Sequence, residues 1–266
     1  EVAPMASLPG EDDHELHTHG MCVVRLNRET EENILAINAC YKHLMENLDR
    51  MLALPGPMTA VPQNRHFMPF STTIGFKGPH SPPEHRRDFL FPIFSTPVEA
   101  TIRAVLGSAP RGAGAILQDC VGHDAELREV TAIVSDPGCT AQDLHGDNEW
   151  AENEPLVVTM FVALHDIADE AMGPTYFCVN THHPRCFPGE QWVAPSSREG
   201  GALVAGGSKP ATWFPLGAGD ATLMHSTCWH KGGANQSDQR RTILALSFVE
   251  SRAAVTKDDP ARLQLR

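Results

Sequence analysis

The chain has 266 residues, 33 acidic and 21 basic side chains, a formal net charge of −12 with His neutral, and 41% apolar residues. That apolar share can build a sizeable core, which excludes a wholly disordered chain, and no run of about 18 apolar residues is present to span a bilayer. The acidic balance argues against nucleic acid, whose phosphates call for clustered Lys and Arg, and against an anionic membrane surface.

Residues 1–19, rich in Pro, Gly and acid at the start, read as a flexible N-terminus. Met21–Leu26, after Gly20, reads as a short strand. Thr30 with Glu31 and Glu32 offers a helix N-cap and an acidic first turn. Ile34, Ile37, Tyr41, Leu44, Leu48 and Met51 then recur at helical spacing, so the pattern predicts an amphipathic helix over 30–53, stopped by Pro55-Gly56-Pro57. Residues 55–95 are proline-rich and carry Arg65-His66, His85, Arg86 and Arg87. A segment this long without periodicity reads as a functional loop or a linker. Pro97–Leu106 reads as a second short helix.

From about residue 114 the texture changes. Ala115–Cys120, Leu127–Ser135, Thr140–His145, Leu156–His165, Thr175–Val179, Asp220–His225 and Arg241–Val249 are apolar or alternating runs that read as strands. Turn residues separate them, as in Asp136-Pro137-Gly138, Gly173-Pro174 and Gly232-Gly233, while 188–219 reads as an extended loop. The pattern predicts an α+β, mainly β chain with an antiparallel sandwich or barrel. It is expected to form a single domain over 1–266, with 20–113 packed as helices and Pro-rich loop on a core of 114–250. Seven scattered cysteines, none in a Cys-x-x-Cys pair, read as reduced thiols.

The chemistry is concentrated in two places. His145-Gly146-Asp147 is the only His-x-Asp in the chain, and a strand would put both side chains on one face. Alone it reads rather as a turn Asp beside a surface His. Further on, His230 is followed by the hairpin-like segment Lys231–Asp238 and then Arg241, so His and Arg can face one cavity. Two His and one carboxylate with open positions is the facial arrangement of non-haem Fe(II) oxygenases, and Arg grips a carboxylate bidentately. Strand parity separates Arg241 from Arg240. Arg241 shares a face with Ile243, Ala245 and Ser247, mostly small, while Arg240 shares one with Thr242, Leu244, Leu246 and Phe248. A ligand-holding interior needs room, so Arg241 is expected to face the ligand. His225 is the rival distal ligand.

Gln142-Asp143-Leu144-His145-Gly146-Asp147, Gly173-Pro174-Thr175, and Gly219-Asp220 through His225 and His230 to Arg241 together resemble the phytanoyl-CoA dioxygenase-like family. These are Fe(II)/2-oxoglutarate oxygenases with a double-stranded β-helix (jelly-roll, cupin-like) core. The resemblance implies such a core with flanking N-terminal helices. It implies His145, Asp147 and His230 as catalytic iron ligands and Arg241 as the partner of the distal carboxylate of 2-oxoglutarate. Gln142 and Thr175 are implied as further co-substrate contacts, and His225 as a histidine lining the site. Many relatives carry Gly-Ser after the distal histidine, where the hydroxyl helps hold the co-substrate; here these positions are Lys231 and Gly232. Asp147 argues against the related halogenases, which leave that position to chloride.

The implied reaction takes Fe(II), 2-oxoglutarate and O2, and yields succinate with hydroxylation, desaturation or oxidative cyclisation of a small molecule. Arg65 and Arg86 could bind a carboxylate-bearing substrate from the Pro-rich segment, as could Arg87; a solvated charged loop is the alternative. Trp150 and Trp229 are wall residues or stacking surfaces. His165, His182 and His183 read as satisfied or exposed histidines, and His14, His17 and His19 as incidental. Two other readings stay open: a cupin-type metal-dependent isomerase or dioxygenase that does not use 2-oxoglutarate, and a non-catalytic jelly-roll binding protein. No nucleic-acid or membrane partner is expected, and the chain is expected to be a monomer or weak homo-oligomer. It is expected to be soluble and intracellular, in the cytoplasm or, since the sequence begins at Glu1 rather than Met, in an organelle after loss of a targeting peptide.

Overall fold

The computed structural model describes residues 13–26, 28, 30–53, 75–76, 85–90, 95–107 and 112–251. In chain order these form α1 (Asp13–His19), β1 (Met21–Val24), α2 (Glu31–Leu52), β2 (Gly75–Phe76), β3 (Arg86–Leu90), α3 (Thr96–Leu106), α4 (Ala113–Val121), β4 (Glu126–Ser135), β5 (Val157–Ala163), β6 (Thr175–Cys178), α5 (Arg198–Ala205), β7 (Ala221–His225), β8 (Trp229–Gly232) and β9 (Arg241–Val249). The architecture mixes helix and sheet, with sheet dominant after residue 126. Seven strands form one sheet in the order β1-β7-β5-β9-β4-β3-β2, and β6 and β8 form a second. Every pairing is antiparallel. Among the described residues no helix is long and apolar enough to cross a membrane.

Period-two alternation gives the large sheet two unlike faces. One face presents Leu127, Val130, Ala132, Val134, Val158, Met160, Val162, Leu223, Leu244, Leu246 and Phe248 to α1–α4. From α2, Ile37, Leu44 and Leu48 of the predicted stripe meet it together with Cys40, while Tyr41 is partly buried and Ile34 is exposed. The other face presents Phe161, Ala163, Met224, Ile243 and Ala245 toward Phe177 of β6. Burying a side chain such as Leu246 or Phe248 contributes about 1.5–3 kcal/mol, so the helix-side layer carries much of the stability.

Several expectations change here. Ala115–Cys120 lies in a helix, not a strand: Ala113, Ile116, Leu117 and Val121 are buried at helical spacing. A short apolar run fits either element until its neighbours are seen. The strand-rich part of the chain therefore begins at Glu126 rather than near 114, with β1, β2 and β3 joining the same sheet from earlier in the chain. Thr140–His145 is irregular. It meets β8 through Gln142 N–H to Gly232 O (2.9 Å) and a reciprocal pair between His145 and His230 (2.9 and 2.7 Å), a spacing that no regular ladder has. Arg86–Leu90, inside the Pro-rich stretch, is a strand paired with β4. The expected loop over 188–219 contains α5, capped by Ser197, whose hydroxyl accepts from Gly200 N–H. The last part of the expected flexible N-terminus is α1, anchored by the buried Leu16. All seven cysteines are free thiols.

Candidate metal and carboxylate site

His230 lies on β8 with its ring turned into the space between the sheets, near Phe161 (6.1 Å between ring centroids) and Phe177 (6.4 Å). The bridge between His145 and His230 brings the two imidazoles to 4.4 Å. His145 Nδ1 lies 2.8 Å from Asp143 O and His230 Nδ1 lies 3.0 Å from Cys228 O. A carbonyl only accepts, so each Nδ1 carries its proton and each Nε2 is left as a lone-pair donor. Asp147 Oδ1 stands 3.6 Å from His230 Nε2. One ligand atom from each of His145, Asp147 and His230 lies within 4.8 Å of the others, a group that could hold a metal ion. Burial holds the His230 imidazole below the ordinary histidine range, opposed by the Asp147 carboxylate. The neutral ring is the metal-binding form. The Asp147 side chain is 39% exposed, so one side of the group opens to solvent.

A second feature crosses three neighbouring strands. Arg86 of β3 pairs with Ser135 of β4, and Ser135 pairs with Arg241 of β9. Paired residues share a face, so Arg86, Ser135 and Arg241 form a row on the inner side of the sheet. Both guanidiniums are buried, with Arg86 3% and Arg241 1% exposed. Arg241 Nη2 donates to Ser135 Oγ (2.8 Å) and Arg86 Nη2 to Gly233 O (3.0 Å). Among the described residues, Nε and Nη1 of both arginines have no hydrogen-bond partner. Burial pushes the Arg241 guanidinium down to about 9; Arg86 adds to this, while Cys139 and Asp88 oppose it. Buried donors left unsatisfied cost about 1–3 kcal/mol each, more for charged groups. A carboxylate would satisfy them.

Gly232 explains how Arg86 fits. A Cβ there would stand 2.8 Å from Gln142 Oε1 and 2.9 Å from both Arg86 Nη atoms. The space that a side chain at 232 would need is therefore taken by Arg86 and Gln142. Gln142 Oε1 accepts from Gly232 N–H (2.9 Å), which aligns the amide with the arginine row. Thr175 stands opposite Gly232 across β6 and β8 and lines a small inner cavity with Phe161, Phe177 and Ile243. The structure thus brings Gln142, Thr175, Arg86 and Arg241 to the same inner space as His230.

Other candidates fall elsewhere. Arg65 lies outside the described residues. Arg86 is in the sheet interior rather than over a barrel mouth. His225, expected to line the site, is on the opposite face of β7: Ala221, Leu223 and His225 alternate with Thr222 and Met224, and it is Met224 that joins the inner layer. Trp150 meets His183 edge-on (5.4 Å) at the rim of a cavity of about 900 Å³. Trp229 is wholly buried and donates to Val193 O (3.1 Å), a wall residue. His165 is satisfied, with Nδ1 donating to Asp166 O (3.0 Å) and Nε2 accepting from Thr242 N–H (2.9 Å). Asp220 closes its turn through Gly217 N–H (2.9 Å) and pairs with Arg25 (2.7 Å) and Arg28 (3.0 Å). Arg240 points away from the inner space and pairs with Asp136. Sequence reasoning missed that Arg86 shares a face with Arg241, and no local signal could have shown it, since Arg86–Leu90 has no alternation and only its register with Ser135 places it.

Residues 35–243 match the profile of the phytanoyl-CoA dioxygenase (PhyH) family. No curated protein matches the sequence. Among solved structures, the chain resembles the non-heme alpha ketoglutarate dependent carbocyclase SnoK from nogalamycin biosynthesis, with 15% identity, TM-score 0.56, and coverage of 92% of this chain and 85% of that one. It resembles the epimerase SnoN in complex with Fe3+, alpha ketoglutarate and nogalamycin RO, with 18% identity, TM-score 0.56, and coverage of 96% and 94%. It also resembles HygX from Streptomyces hygroscopicus with nickel, 2-oxoglutarate and hygromycin B bound, with 17% identity, TM-score 0.56, and coverage of 94% of each chain. At such identities the likeness is one of fold.

Proposed function

The chain belongs to the phytanoyl-CoA dioxygenase (PhyH) family of iron- and 2-oxoglutarate-dependent oxygenases, and from that premise we propose how its own residues divide the work. His145, Asp147 and His230 hold the iron. Arg86 and Arg241 together hold the carboxylate of 2-oxoglutarate remote from its keto group, with Gln142 and Thr175 beside them. The two facing sheets are the double-stranded β-helix of the family, and the chain acts as one catalytic unit. The iron, when bound, supplies the oxidative chemistry with O2 and 2-oxoglutarate. The outcome is hydroxylation of a small molecule, or its desaturation or oxidative cyclisation.

The observation that carries this reading is the row Arg86–Ser135–Arg241. Two buried cations with four unpartnered N–H-bearing atoms call for an anion in the same space as His230. A cupin-type enzyme without 2-oxoglutarate would have no use for them. The protein fixes both imidazoles through carbonyls, so the iron-binding nitrogens need no reorientation when the metal arrives. The phenyl rings of Phe161 and Phe177 keep water from the inner side, which strengthens every charged contact there.

Calorimetric titration of the anaerobic iron-loaded protein with 2-oxoglutarate tests the assignment. Arg241→Ala and Arg86→Ala are each expected to weaken binding by about 10- to 100-fold, the value of one or two charged hydrogen bonds. Arg240→Ala, one residue away on the other face, is expected to leave it unchanged. Equal affinity in wild type and both inner-face variants would overturn the reading.

A further inference from the structure

On the outer side of the large sheet a second set of ligand-type side chains converges. His225 ends β7 on the helix-facing side, Cys120 is in the last turn of α4, and His17 is in α1. One ligand atom from each lies within 4.8 Å of the others. Cys120 Sγ is 4.0 Å from His225 Nε2, and the His17 ring meets the His225 ring edge-on at 6.0 Å. We propose that His17, Cys120 and His225 form a second metal site, separate from the His145–Asp147–His230 group, for a borderline-soft divalent cation such as zinc.

The three residues are far apart in sequence, and the fold takes specific steps to bring His17 in. α1 is tied at its end by His182, whose Nε2 donates to His17 O (3.0 Å). His182 packs against the His225 ring at 4.8 Å, and with its Nε2 committed it stands beside the set rather than in it. Gly20, at φ +80°, lets His182 approach, since a Cβ there would meet the ring at 2.5 Å. His225 N–H then donates to Gly20 O (2.9 Å), and β1 pairs with β7 directly beyond. The helix is thus held against the strand that carries the buried histidine.

The donor set decides the class of ion. Two imidazoles and a thiolate suit zinc, whereas two imidazoles and a carboxylate suit iron. Without metal the Cys120 thiol is no nucleophile, because burial, Glu250 and Asp119 push it up to about 12. The same two carboxylates make the place favourable for a cation. Binding replaces the thiol proton by the metal, so one proton leaves per ion bound. The set borders the cavity of about 900 Å³ that His17, His182 and His225 line, from which a further ligand could reach a bound ion.

The test uses the whole 266-residue chain, reduced and stripped of metal, titrated anaerobically with Co(II). Wild type is expected to bind two equivalents, one giving the near-ultraviolet charge-transfer band of a thiolate–Co(II) bond. Cys120→Ser is expected to lose that band and one equivalent, and Asp147→Ala to keep the band and lose the other. His17→Ala alters an exposed residue, so its fold is secure; it is expected to weaken the band-forming equivalent by about 100-fold, the upper end of the cost of losing even an outer-shell partner. Absence of the band in wild type overturns the proposal. So does its persistence in Cys120→Ser, which would point to another thiol such as Cys186.

Discussion

Along β9, Thr242, Leu244, Leu246 and Phe248 are fully buried against the helices, while Arg241, Ile243, Ala245 and Ser247 alternate with them and face the two-stranded sheet. The helix side is a packed apolar layer with its polar groups at the edges. The inner side holds two buried guanidiniums whose Nε and Nη1 have no partner. A protein built for stability alone would pair or remove such groups, because they cost more than they return. One strand thus separates two environments by parity: even-numbered positions pack on the helices, and odd-numbered positions face the inner space that holds the arginines.

Substitutions on the two faces should therefore fail in different ways. The largest effect is expected from Asp147→Ala, which should lower succinate formation by more than about 1000-fold, the scale of losing a group at the reacting centre. Its thermal unfolding should stay near that of wild type when both are metal-free. Leu246→Ala, on the helix side, should lower stability by about 2–5 kcal/mol, read by urea denaturation, yet leave 2-oxoglutarate affinity of the folded fraction intact. If Leu246→Ala instead weakened co-substrate binding as Arg241→Ala does, the separation of faces would be broken.

A smaller effect sharpens the contrast at the sheet edge. Burial holds His182 down to about 4 and His225 down to about 3, against an ordinary value of 6.5. Nearby His17 and His183 add to both, and a hydrogen bond to His17 O partly offsets the shift at His182. Both rings are neutral in the folded metal-free protein and take up protons on unfolding below pH 6.5. Stability is thus complete above that pH and declines as pH falls toward the folded values, by about 1.4 kcal/mol per pH unit for each ring. Urea midpoints between pH 7 and pH 5 should show the slope, and His182→Gln should reduce it. An identical slope in that variant would count against the assignment.

The sequence carried the site unevenly. His145-Gly146-Asp147 is visible as a triplet, but only the family resemblance joins it to His230 far along the chain, and the bridge between His145 and His230 is what brings them together in the fold. Arg241 was legible because parity on a long strand distinguishes small from bulky neighbours. Arg86 was read as a loop residue because β3 sits in a proline-rich stretch and has no periodicity of its own; only its register with Ser135 reveals its face. The resemblance puts His225 at the site, whereas it lies on the helix-facing side of β7; Ala221–His225 is apolar on both faces, so alternation offers no polarity to place it. α4 was read as a strand for a similar reason: Ala115–Cys120 is too short to show its period. His17 was set aside as terminal, yet its partner Cys120 lies on α4, a contact that no local pattern encodes.

The central claim is that the inner face assembles a metal and a dicarboxylate together. Anaerobic titration of metal-stripped protein with Fe(II) and then 2-oxoglutarate, followed by visible absorption, tests it most directly. The account predicts a weak charge-transfer band that appears only when both are present, is lost in Asp147→Ala, and needs more 2-oxoglutarate in Arg86→Ala and Arg241→Ala. Iron binding without the band at saturating 2-oxoglutarate would contradict it.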